Sequence, residues 1–519
     1  MLQWLKKVRV VVAIVFLLSV SFLFLDFGNI FPSGLHTFLV STQLAPSLIR
    51  TLILFSSASI GLFFVLLLTF LFGRVYCSTI CPLGILQDIT IRISKRLNRR
   101  RRFQFKKPFY TIHYIIFIFT VVLAFFGSMI LLNLFEPFSN YGRILANLVG
   151  PSFILANNTL GDILGLFGIF FLFQIPLLHV NIISVIASLF FLSLILYLSY
   201  YHGRLFCNLL CPAGALLGII SRFSIFRIVI DENNCKECGL CERVCKANCI
   251  NSDSKEIDFA ACVGCFNCID ACPTVGMSYE GRWKKSSNIL PIVDEGRRKV
   301  LKTYILPALG LLLPEINKDS SVGINQMRFD ESHRYPISPP GSISVDHFSS
   351  RCTACHLCIS SCPTQVLFPS FLDYGIAGIF QPKMNYTASY CNFDCVICGQ
   401  VCPTGAILPL DINIKKQVQI GKAYFAKDDC IVVTKKRDCG ACSEHCPTKA
   451  VKMVPYEQRL VVPEVDDKIC IGCGACEHAC PTQPRKAIYV NSNPVHLAAK
   501  KPKIEKVESS FDSKQEFPF

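Results

Sequence analysis

The stretch "CVGCFNCIDACP" (residues 262–273) decides how the region around it folds. Three cysteines at steps of three, with a fourth before proline, are the pattern that binds a bacterial 4Fe-4S cluster, and the fourth cysteine ligates the neighbouring cluster. A second stretch of this kind, "CKECGLCERVC" (235–245), lies just upstream. The pair predicts a small α+β ferredoxin-like domain with two clusters over residues 231–290.

Cysteine spacing also predicts which thiols share a cluster in this domain. Zinc modules use separated cysteine pairs, so zinc is not expected. Two features depart from the usual pattern: Lys246 replaces proline after Cys245, and Cys249 is left over. Cys249 is therefore an alternative to Cys245 as a ligand. The predicted sets are Cys235, Cys238, Cys241 and Cys272 for one cluster, and Cys262, Cys265, Cys268 and Cys245 for the other.

The C-terminal region carries four further cysteine motifs, which predict four more clusters and six altogether. The string "CTACH" (352–356) also matches a haem-attachment sequence, but Cys358 and Cys362 complete a cluster motif around it. We therefore expect no haem, and we expect His356 to be a surface residue beside a cluster. The predicted ligands, with none spare, are Cys352, Cys355, Cys358, Cys362, Cys391, Cys395, Cys398, Cys402, Cys430, Cys439, Cys442, Cys446, Cys470, Cys473, Cys476 and Cys480.

The first 230 residues hold most of the apolar sequence of this chain, which has 519 residues and is 52% hydrophobic. Apolar runs of about 20 residues predict membrane-spanning helices. A polytopic α-helical membrane domain is therefore expected over residues 1–230. Residues 161–178 are expected to be interfacial or re-entrant, with a fifth span as the alternative. The four predicted spans are 9–27, 48–73, 110–134 and 181–201.

Positive charge is concentrated between two of these spans. The chain has a formal net charge of +16, and nine Lys or Arg residues fall between Arg92 and Lys107. In this position the charge marks a cytoplasmic loop by the positive-inside rule, so nucleic-acid binding is not expected. The N-terminus and the first ferredoxin domain are accordingly predicted to be cytoplasmic.

Two spans end in the same motif, "GRVYCSTICPLGIL" (73–86) and "GRLFCNLLCPAGAL" (203–216). Cysteines four apart lie on one side of a helix, so the repeat predicts two half-sites of a cofactor-binding centre. Buried free cysteines are also common as packing residues. The spacing leaves open whether the thiols hold a cluster, bind copper or form disulfides. The four cysteines are Cys77, Cys81, Cys207 and Cys211.

These motifs carry a resemblance to known families. The C-x-x-x-C-P spans followed by a two-cluster ferredoxin resemble the NapH-type membrane ferredoxins of periplasmic nitrate reduction, and the membrane regions of NosR, CcoG and RdxA. From about 336 to 490 the chain is similar to NapG/MauM-type ferredoxins. The residues that carry this are "PISPPGSISVDHFSSRCTACHLCISSCP" (336–363), "CPTGAI" (402–407) and "VPEVDDKICIGCGACEHACP" (462–481).

The resemblance implies an electron-transfer protein that links quinol or quinone in the membrane to a periplasmic reductase or electron carrier. No flavin is expected, because no flavin-attachment sequence of the NosR kind is present. It also implies that the first C-terminal motif pairs with the fourth, and the second with the third. Cys480 would then join Cys352, Cys355 and Cys358; Cys362 would join Cys470, Cys473 and Cys476; Cys446 would join Cys391, Cys395 and Cys398; and Cys402 would join Cys430, Cys439 and Cys442.

The segment between the two ferredoxin regions fits a twin-arginine export sequence, R-R-x-[FV]-L-K, at Arg297 and Arg298. We expect a short membrane anchor over 291–316, a linker over 317–345, a periplasmic four-cluster domain over 346–495 and a polar tail over 496–519. The location expected is the bacterial inner membrane. Two alternatives stay open: a CcoG-like metal or thiol reductase that assists assembly, and a ferredoxin hub with every cluster in the cytoplasm.

Overall fold

The computed structural model describes residues 3–282 and 335–501, apart from 27, 29, 54–57, 98–104, 106–108, 169, 172, 177–180, 232, 233, 275 and 458. The predicted twin-arginine segment and anchor (291–316) lie outside the described residues. So do most of the predicted linker and most of the predicted tail.

A helical region forms the first part of the chain. Its helix α9 is buried along its whole length, so it forms the centre of the region. A π-helical turn at Leu145–Val149 joins α9 to α10. The helices are α1 (Gln3–Leu25), α2 (Ser33–Ser41), α3 (Leu44–Ile53), α4 (Ala58–Phe72), α5 (Tyr76–Thr79), α6 (Pro82–Leu97), α7 (Tyr110–Phe125), α8 (Ile130–Phe135), α9 (Pro137–Ile144), α10 (Gly150–Leu166), α11 (Ile182–His202), α12 (Leu205–Leu209) and α13 (Pro212–Ser221).

Two of these helices, α1 and α11, are long and apolar enough to cross a membrane. In the described residues, neither of the other two predicted spans is covered by one long helix, and residues 54–57 of the span at 48–73 lie outside that description. The span predicted at 48–73 falls on α3 and α4, and α4 has 15 residues. The span predicted at 110–134 ends early, because Gly127 with φ 78° stops the helix after α7. The segment predicted at 161–178 contains the end of α10, which stops at Leu166.

The first ferredoxin region follows directly and is built from short elements around cysteine-bearing loops. Strand β1 pairs antiparallel with β4, and β2 with β3. The elements are β1 (Phe226–Ile230), α14 (Leu240–Val244), β2 (Ile250–Asn251), β3 (Glu256–Ile257), α15 (Asn267–Ala271) and β4 (Met277–Gly281).

The second ferredoxin region repeats this design with four cysteine motifs. Three antiparallel strand pairs, β5 with β6, β7 with β10 and β8 with β9, hold it together. The elements are α16 (Val345–Ser349), α17 (Leu357–Ser360), β5 (Leu367–Pro369), β6 (Pro382–Met384), α18 (Ile397–Val401), α19 (Ile412–Lys415), β7 (Val418–Phe425), α20 (Ile431–Lys435), α21 (Ala441–Glu444), β8 (Val451–Pro455), β9 (Val461–Val465), α22 (Ala475–Ala479) and β10 (Ile488–Ala498).

The edges of this region differ from the expected boundaries. Ser338, in the predicted linker, is buried and its hydroxyl lies 3.0 Å from the Nε2 atom of His496. His496, in the predicted tail, bonds through its backbone to Ile343. The domain therefore begins before 346 and ends after 495, because these flanking segments pack on each other.

The two ferredoxin regions contact opposite ends of α1. Near its start, Lys6 pairs with Asp270 of the first ferredoxin region at 2.5 Å. Near its end, the ring of Phe24 packs against Gly142. The carbonyl of Cys355, in the second region, lies against the same face of this glycine. Helix α1 has 23 residues, which corresponds to about 34 Å at 1.5 Å per residue. The helical region therefore separates the two ferredoxin regions by the length of this helix.

Candidate redox centres

The two C-x-x-x-C-P motifs form a repeated structure at the ends of α4 and α11. Each helix is stopped by a glycine in the left-handed region, Gly73 with φ 77° and Gly203 with φ 67°. A short helix then carries the first cysteine of each motif, and the second cysteine precedes α6 or α13. All four thiols, of Cys77, Cys81, Cys207 and Cys211, are buried.

Two arginines join the repeats, because each donates a hydrogen bond to a cysteine carbonyl of the opposite repeat. The Nη2 atom of Arg74 donates to the carbonyl of Cys207 at 3.2 Å. The Nη1 atom of Arg204 donates to the carbonyl of Cys77 at 2.9 Å. Each guanidinium also lies beside the sulfur of its own motif, at 4.0 Å for Arg74 and 3.8 Å for Arg204. The second arginine thus repeats the interactions of the first.

These hydrogen bonds between the repeats explain the glycine that lies three residues after the second cysteine of each motif. A Cβ atom on Gly84 would lie 2.2 Å from the carbonyl oxygen of Cys77, and one on Gly214 would lie 2.2 Å from that of Cys207. Any side chain there would displace the carbonyl that accepts the arginine. The motif therefore requires glycine at both positions.

Charge breaks the symmetry of the repeats. Asp88 in the first repeat pairs with Arg204 at 2.7 Å, with Arg9 at 3.0 Å and with Lys246 at 3.3 Å. The second repeat has Gly218 at the matching position, and the carbonyl of Ala260 fills that space. This carbonyl, from the first ferredoxin region, accepts a hydrogen bond from Arg74 at 2.6 Å.

The surroundings of the four thiols are strongly cationic. Burial raises the pKa of Asp88, but Arg204, Lys246 and Arg9 outweigh it and hold the pKa well below its usual range. One carboxylate therefore faces three cations, and Arg74 adds a fourth. Burial raises the pKa of the Cys81 and Cys211 thiols well above the usual value. Such thiols lose their protons when a metal binds them, and the cationic surroundings then stabilise the negative charge.

In the first ferredoxin region, the structure brings each predicted ligand set into one cavity. A second cavity also contains Cys249, whose sulfur lies 3.5 Å from that of Cys245. Cysteine-only donor sets at this spacing fit a 4Fe-4S cluster. The first cavity is lined by Cys235, Cys238, Cys241 and Cys272, and the second by Cys245, Cys262, Cys265 and Cys268.

Cys249 and Lys246, the two departures from the usual pattern, have separate roles in the structure. Cys249 takes the position that Ala406 and Ala450 hold in later motifs, four residues after the fourth cysteine, and all three residues are buried. Lys246 pairs with Asp88, and its carbonyl accepts from the backbone N–H of Arg204 at 2.9 Å. Lys246 therefore anchors the first ferredoxin region to the helices.

The second ferredoxin region corrects the predicted pairing of its motifs. Its thiols interact in neighbouring pairs of motifs, because α17 packs on α18 and α21 packs on α22. The pairing implied by the resemblance, first with fourth and second with third, is therefore wrong. The observed groups are Cys352, Cys355 and Cys358 with Cys402; Cys391, Cys395 and Cys398 with Cys362; Cys470, Cys473 and Cys476 with Cys446; and Cys439 and Cys442 with Cys480. Cys430 belongs to the same motif as Cys439 and Cys442.

His356 is buried, which corrects its predicted place on the surface. It is 1% exposed, its Nε2 atom lies 2.8 Å from the carbonyl of Phe380 and its Nδ1 atom lies 3.3 Å from the amide nitrogen of Asn147. Burial and, to a smaller extent, the nearby Arg143 together lower the pKa of His356 to about 3. The histidine therefore belongs to the junction between the second ferredoxin region and the helices.

Direct contacts join neighbouring cysteine groups at each end of the helical region. The Arg74 bond to Ala260 joins the four buried thiols to the group around Cys262. On the opposite side, the close approach of Gly142 to Cys355 joins the helices to the first group of the second region. Further out, the backbone N–H of Cys391 donates to the carbonyl of Cys473 at 2.9 Å, linking the second group to the third.

Comparison with known proteins identifies the type of these domains. A sequence profile described as "4Fe-4S binding domain" matches residues 55–101 and 184–229, the two segments that carry the C-x-x-x-C-P motifs. A profile described as "4Fe-4S dicluster domain" matches residues 437–483. The second match runs from Cys439 of the third C-terminal motif to Cys480 of the fourth and leaves Cys430 outside, and it agrees with the pairing of these two motifs in the structure.

Several relatives share parts of the chain. The uncharacterized protein MJ0750 of Methanocaldococcus jannaschii is 26% identical over 228 residues, which are 43% of this chain and 79% of that protein. MJ0749 of the same organism is 38% identical over 18% of this chain and 38% of its own length. The methylamine utilization ferredoxin-type protein MauM of Methylobacillus flagellatus is 31% identical over 26% of this chain and 60% of its own length.

The match thus spans less than two thirds of MJ0749 and of MauM. The profiles, the relatives and the cysteine-lined cavities agree on the chemistry of the chain. It contains 4Fe-4S ferredoxin-type domains.

Proposed function

We propose that this chain conducts electrons across a bacterial inner membrane, between the quinone pool and a redox partner on the periplasmic side. The observation that carries the proposal is the placement of the two ferredoxin regions at opposite ends of α1. Lys6 meets the first region at one end, and Phe24 lies beside the contact of Gly142 with the second region at the other. A protein with every cluster on one side of the membrane does not need this separation.

The outer surface of the helices supports a membrane location. Large apolar side chains face outward on α1 and α11, including Leu18 at 63% exposure and Phe190 at 63%. Exposed apolar surface on this scale is a mark of a membrane or partner surface. The length of α1, about 34 Å, also suits a hydrocarbon core of about 30 Å.

The ends of the described segments favour a crossing by the connecting chain. The backbone N–H of Arg282, the last described residue of the first region, donates to the carbonyl of Ile225 at 2.8 Å, near the end of α4. The second region begins again at Tyr335, and Pro336 accepts a bond from Ser492 in β10. The two regions lie at opposite ends of the helices, which suits the membrane anchor predicted at 291–316.

We infer that Cys77, Cys81, Cys207 and Cys211 hold an iron–sulfur centre within this conductor. A cluster with four thiolate ligands is an anion, and it supplies a site for one electron at a time. The three positive charges left uncompensated around Asp88 and Arg74 match such an anion. Four neutral thiols or two disulfides would leave these buried cations unbalanced, at a large electrostatic cost.

Topology reporters test the proposal directly. One reporter is fused after residue 290 and another at the C-terminus of the full chain. The first is expected to read cytoplasmic and the second periplasmic, and replacing Arg297 and Arg298 with lysine is expected to abolish export of the second. If both reporters read cytoplasmic, the conductor proposal is wrong and the chain is a membrane-tethered ferredoxin hub.

Quinone chemistry is tested separately on anaerobic membranes. Added quinol is expected to reduce the clusters, or added quinone to oxidise reduced clusters, as followed by EPR. If neither occurs while Cu(II) is reduced through the four buried thiols, the chain belongs with the assembly reductases instead.

A further inference from the structure

The junction between the helices and the second ferredoxin region contains a cavity of about 130 Å³. Its walls come from both parts of the molecule. The helices contribute Ala146, Asn147 and Ile154, and the ferredoxin region contributes Cys362, Gln365 and Phe368. We propose that this cavity binds the head group of a quinone. The inference rests on the proposed exchange of electrons with the quinone pool, and it places that exchange at the second ferredoxin region rather than at the first.

The first reason is the lining. Most of the wall is apolar, with the ring of Phe368 and the side chains of Ile154 and Leu367 facing the space. Three residues with amide side chains, Asn147, Asn181 and Gln365, also line the cavity, and their amide nitrogens are held by hydrogen bonds within the protein. A flat apolar ring with two opposed oxygens requires this combination, because small-molecule sites are mainly apolar with a few placed polar groups.

The second reason is a redox group in the wall. Cys362 lines the cavity and lies with Cys391 and Cys398 in one of the groups that fit a 4Fe-4S cluster. A lipid that only fills space has no need of this neighbour. A quinol does, because this group would take its two electrons one at a time and pass each to the next group through the Cys391–Cys473 contact, while the two protons leave to water.

The third reason is the backbone of the wall. Asn147 lies in the π-helical turn at Leu145–Val149, and such turns inside helices are frequently found at functional sites. The side chain of Asn147 is fixed, since its Nδ2 atom donates to the hydroxyl of Ser188 at 3.0 Å and lies 3.3 Å from His356. The amide is therefore held in place before a ligand arrives.

Access from the apolar side follows from the position of α10. This helix lines the cavity with Ile154, while its neighbours Phe153 and Leu155 are 49% and 61% exposed. A lipid-soluble molecule that moves along this apolar surface reaches the cavity without crossing water. A water-soluble substrate has no comparable reason to bind here.

Photo-affinity labelling tests the site in the full-length protein in lipid nanodiscs. The probe is an azido-naphthoquinone, and labelled peptides are mapped by mass spectrometry. The label is expected in the peptides that contain Ala146–Ile154 and Gln365–Pro369, and excess unlabelled naphthoquinone is expected to remove it. Label confined to other peptides would overturn the inference.

Two variants sharpen the result. Ala146→Phe fills the cavity and is expected to lower labelling at least tenfold, with iron content and EPR signals unchanged. Ala156→Phe, on the exposed face of the same helix, is the matched control and is expected to label like the natural protein. Asn147→Leu has nearly the same volume and serves if the larger side chain reduces the iron content; unchanged labelling in both cavity variants would overturn the inference.

The outcomes separate this inference from the proposed function. If quinol reduces the clusters but the label maps elsewhere, the electron-conductor proposal stands and only the site is wrong. If quinol neither reduces the clusters nor protects any peptide from the label, the quinone function itself fails.

Discussion

Replacing Asp88 with asparagine tests whether buried charge holds the first ferredoxin region to the helices. Asp88 pairs with Arg9, Arg204 and Lys246, at 3.0, 2.7 and 3.3 Å. Asparagine keeps the shape and removes the charge, so three buried cations lose their partner. Removing one partner of a buried ion pair costs about 3–5 kcal/mol.

The loss is expected to act on the contact between the helices and the first ferredoxin region, because Lys246 belongs to that region. A cost of about 3–5 kcal/mol corresponds to roughly two to four decades in the equilibrium for local opening. Amide hydrogen exchange in the segment around Cys245–Cys249 measures this opening. We expect Asp88→Asn to speed exchange there by at least one hundredfold.

Asp270→Asn is the matched control. It removes the partner of Lys6, where the two side chains are 30% and 34% exposed, and such surface pairs contribute about 0–1 kcal/mol. The control also contacts the first ferredoxin region, so a general weakening of that region would appear in both variants. Equal effects in the two variants would refute the assignment of the stabilisation to buried charge.

The pH dependence gives a second check. The pKa of Asp88 is held below its usual value in the folded protein. Its stabilisation is therefore present at every pH above the unfolded value of about 3.9, and is lost as the pH falls through the lower folded pKa. The difference between Asp88→Asn and the natural protein is expected to be constant from pH 5 to pH 7. A difference that disappears at pH 5 would contradict the charge-pair explanation.

Three further changes have defined outcomes. Cys249→Ala is expected to retain both clusters of the first ferredoxin region by iron content and EPR, whereas Cys245→Ala is expected to lose one; loss in Cys249→Ala would make Cys249 the ligand. Gly142→Ala places a Cβ atom 2.4 Å from a carbonyl of the second region and is expected to lower the free energy of unfolding by about 1–3 kcal/mol in thermal denaturation. Gly165→Ala, whose Cβ atom meets one ring carbon at 3.8 Å, is expected to leave it unchanged. Arg74→Gln is expected to lower the reduction potential of the iron–sulfur centre proposed at Cys77, Cys81, Cys207 and Cys211, because it removes a cation that stabilises the more negative, reduced state. A potentiometric titration measures this; an unchanged potential would show that Arg74 has only a structural role.

Cysteine spacing predicts which thiols lie together in the first ferredoxin region, but not which motifs pair in the second. In the first ferredoxin region, Cys235, Cys238 and Cys241 share a cavity with Cys272, as their spacing indicates. In the second region every motif has a fourth cysteine, so spacing alone does not show which motifs exchange it. The packing of α17 on α18 decides that Cys402 joins the first motif, and this contact is not visible in a single motif.

Hydropathy had a similar limit. It predicts helices over 9–27 and 181–201, and the structure has α1 and α11 there. It does not register that a glycine with positive φ stops a helix, as Gly127 does after α7. It also does not reveal α9, whose residues include Ser139, Asn140 and Arg143, because a buried polar helix has no apolar signature.

The roles of two unusual residues, Lys246 and Asp88, become clear only in the structure. Lys246 in place of proline looks like a defect of the cluster motif until Asp88 is seen 3.3 Å away. Asp88 itself differs from Gly218, its counterpart in the second repeat. That difference is visible when the two motifs are aligned, and it is the one signal by which the sequence could have identified the charged site.

The two repeats share a backbone design but differ in what their arginines face. Arg204 shares Asp88 with Lys246, so the carboxylate of the first repeat fastens the helices to the first ferredoxin region. Arg74 meets the carbonyl of Ala260 instead, and its charge remains available to the neighbouring thiols. A symmetric pair of half-sites would attract an anionic centre equally from both sides. Here Arg74, which pairs with a carbonyl instead of a carboxylate, lies on the side of the Cys262 group, so a negative charge on the proposed centre at Cys77, Cys81, Cys207 and Cys211 would be stabilised towards the first ferredoxin region. The duplication therefore supplies the four thiols, and the exchange of one aspartate for glycine gives the centre a direction.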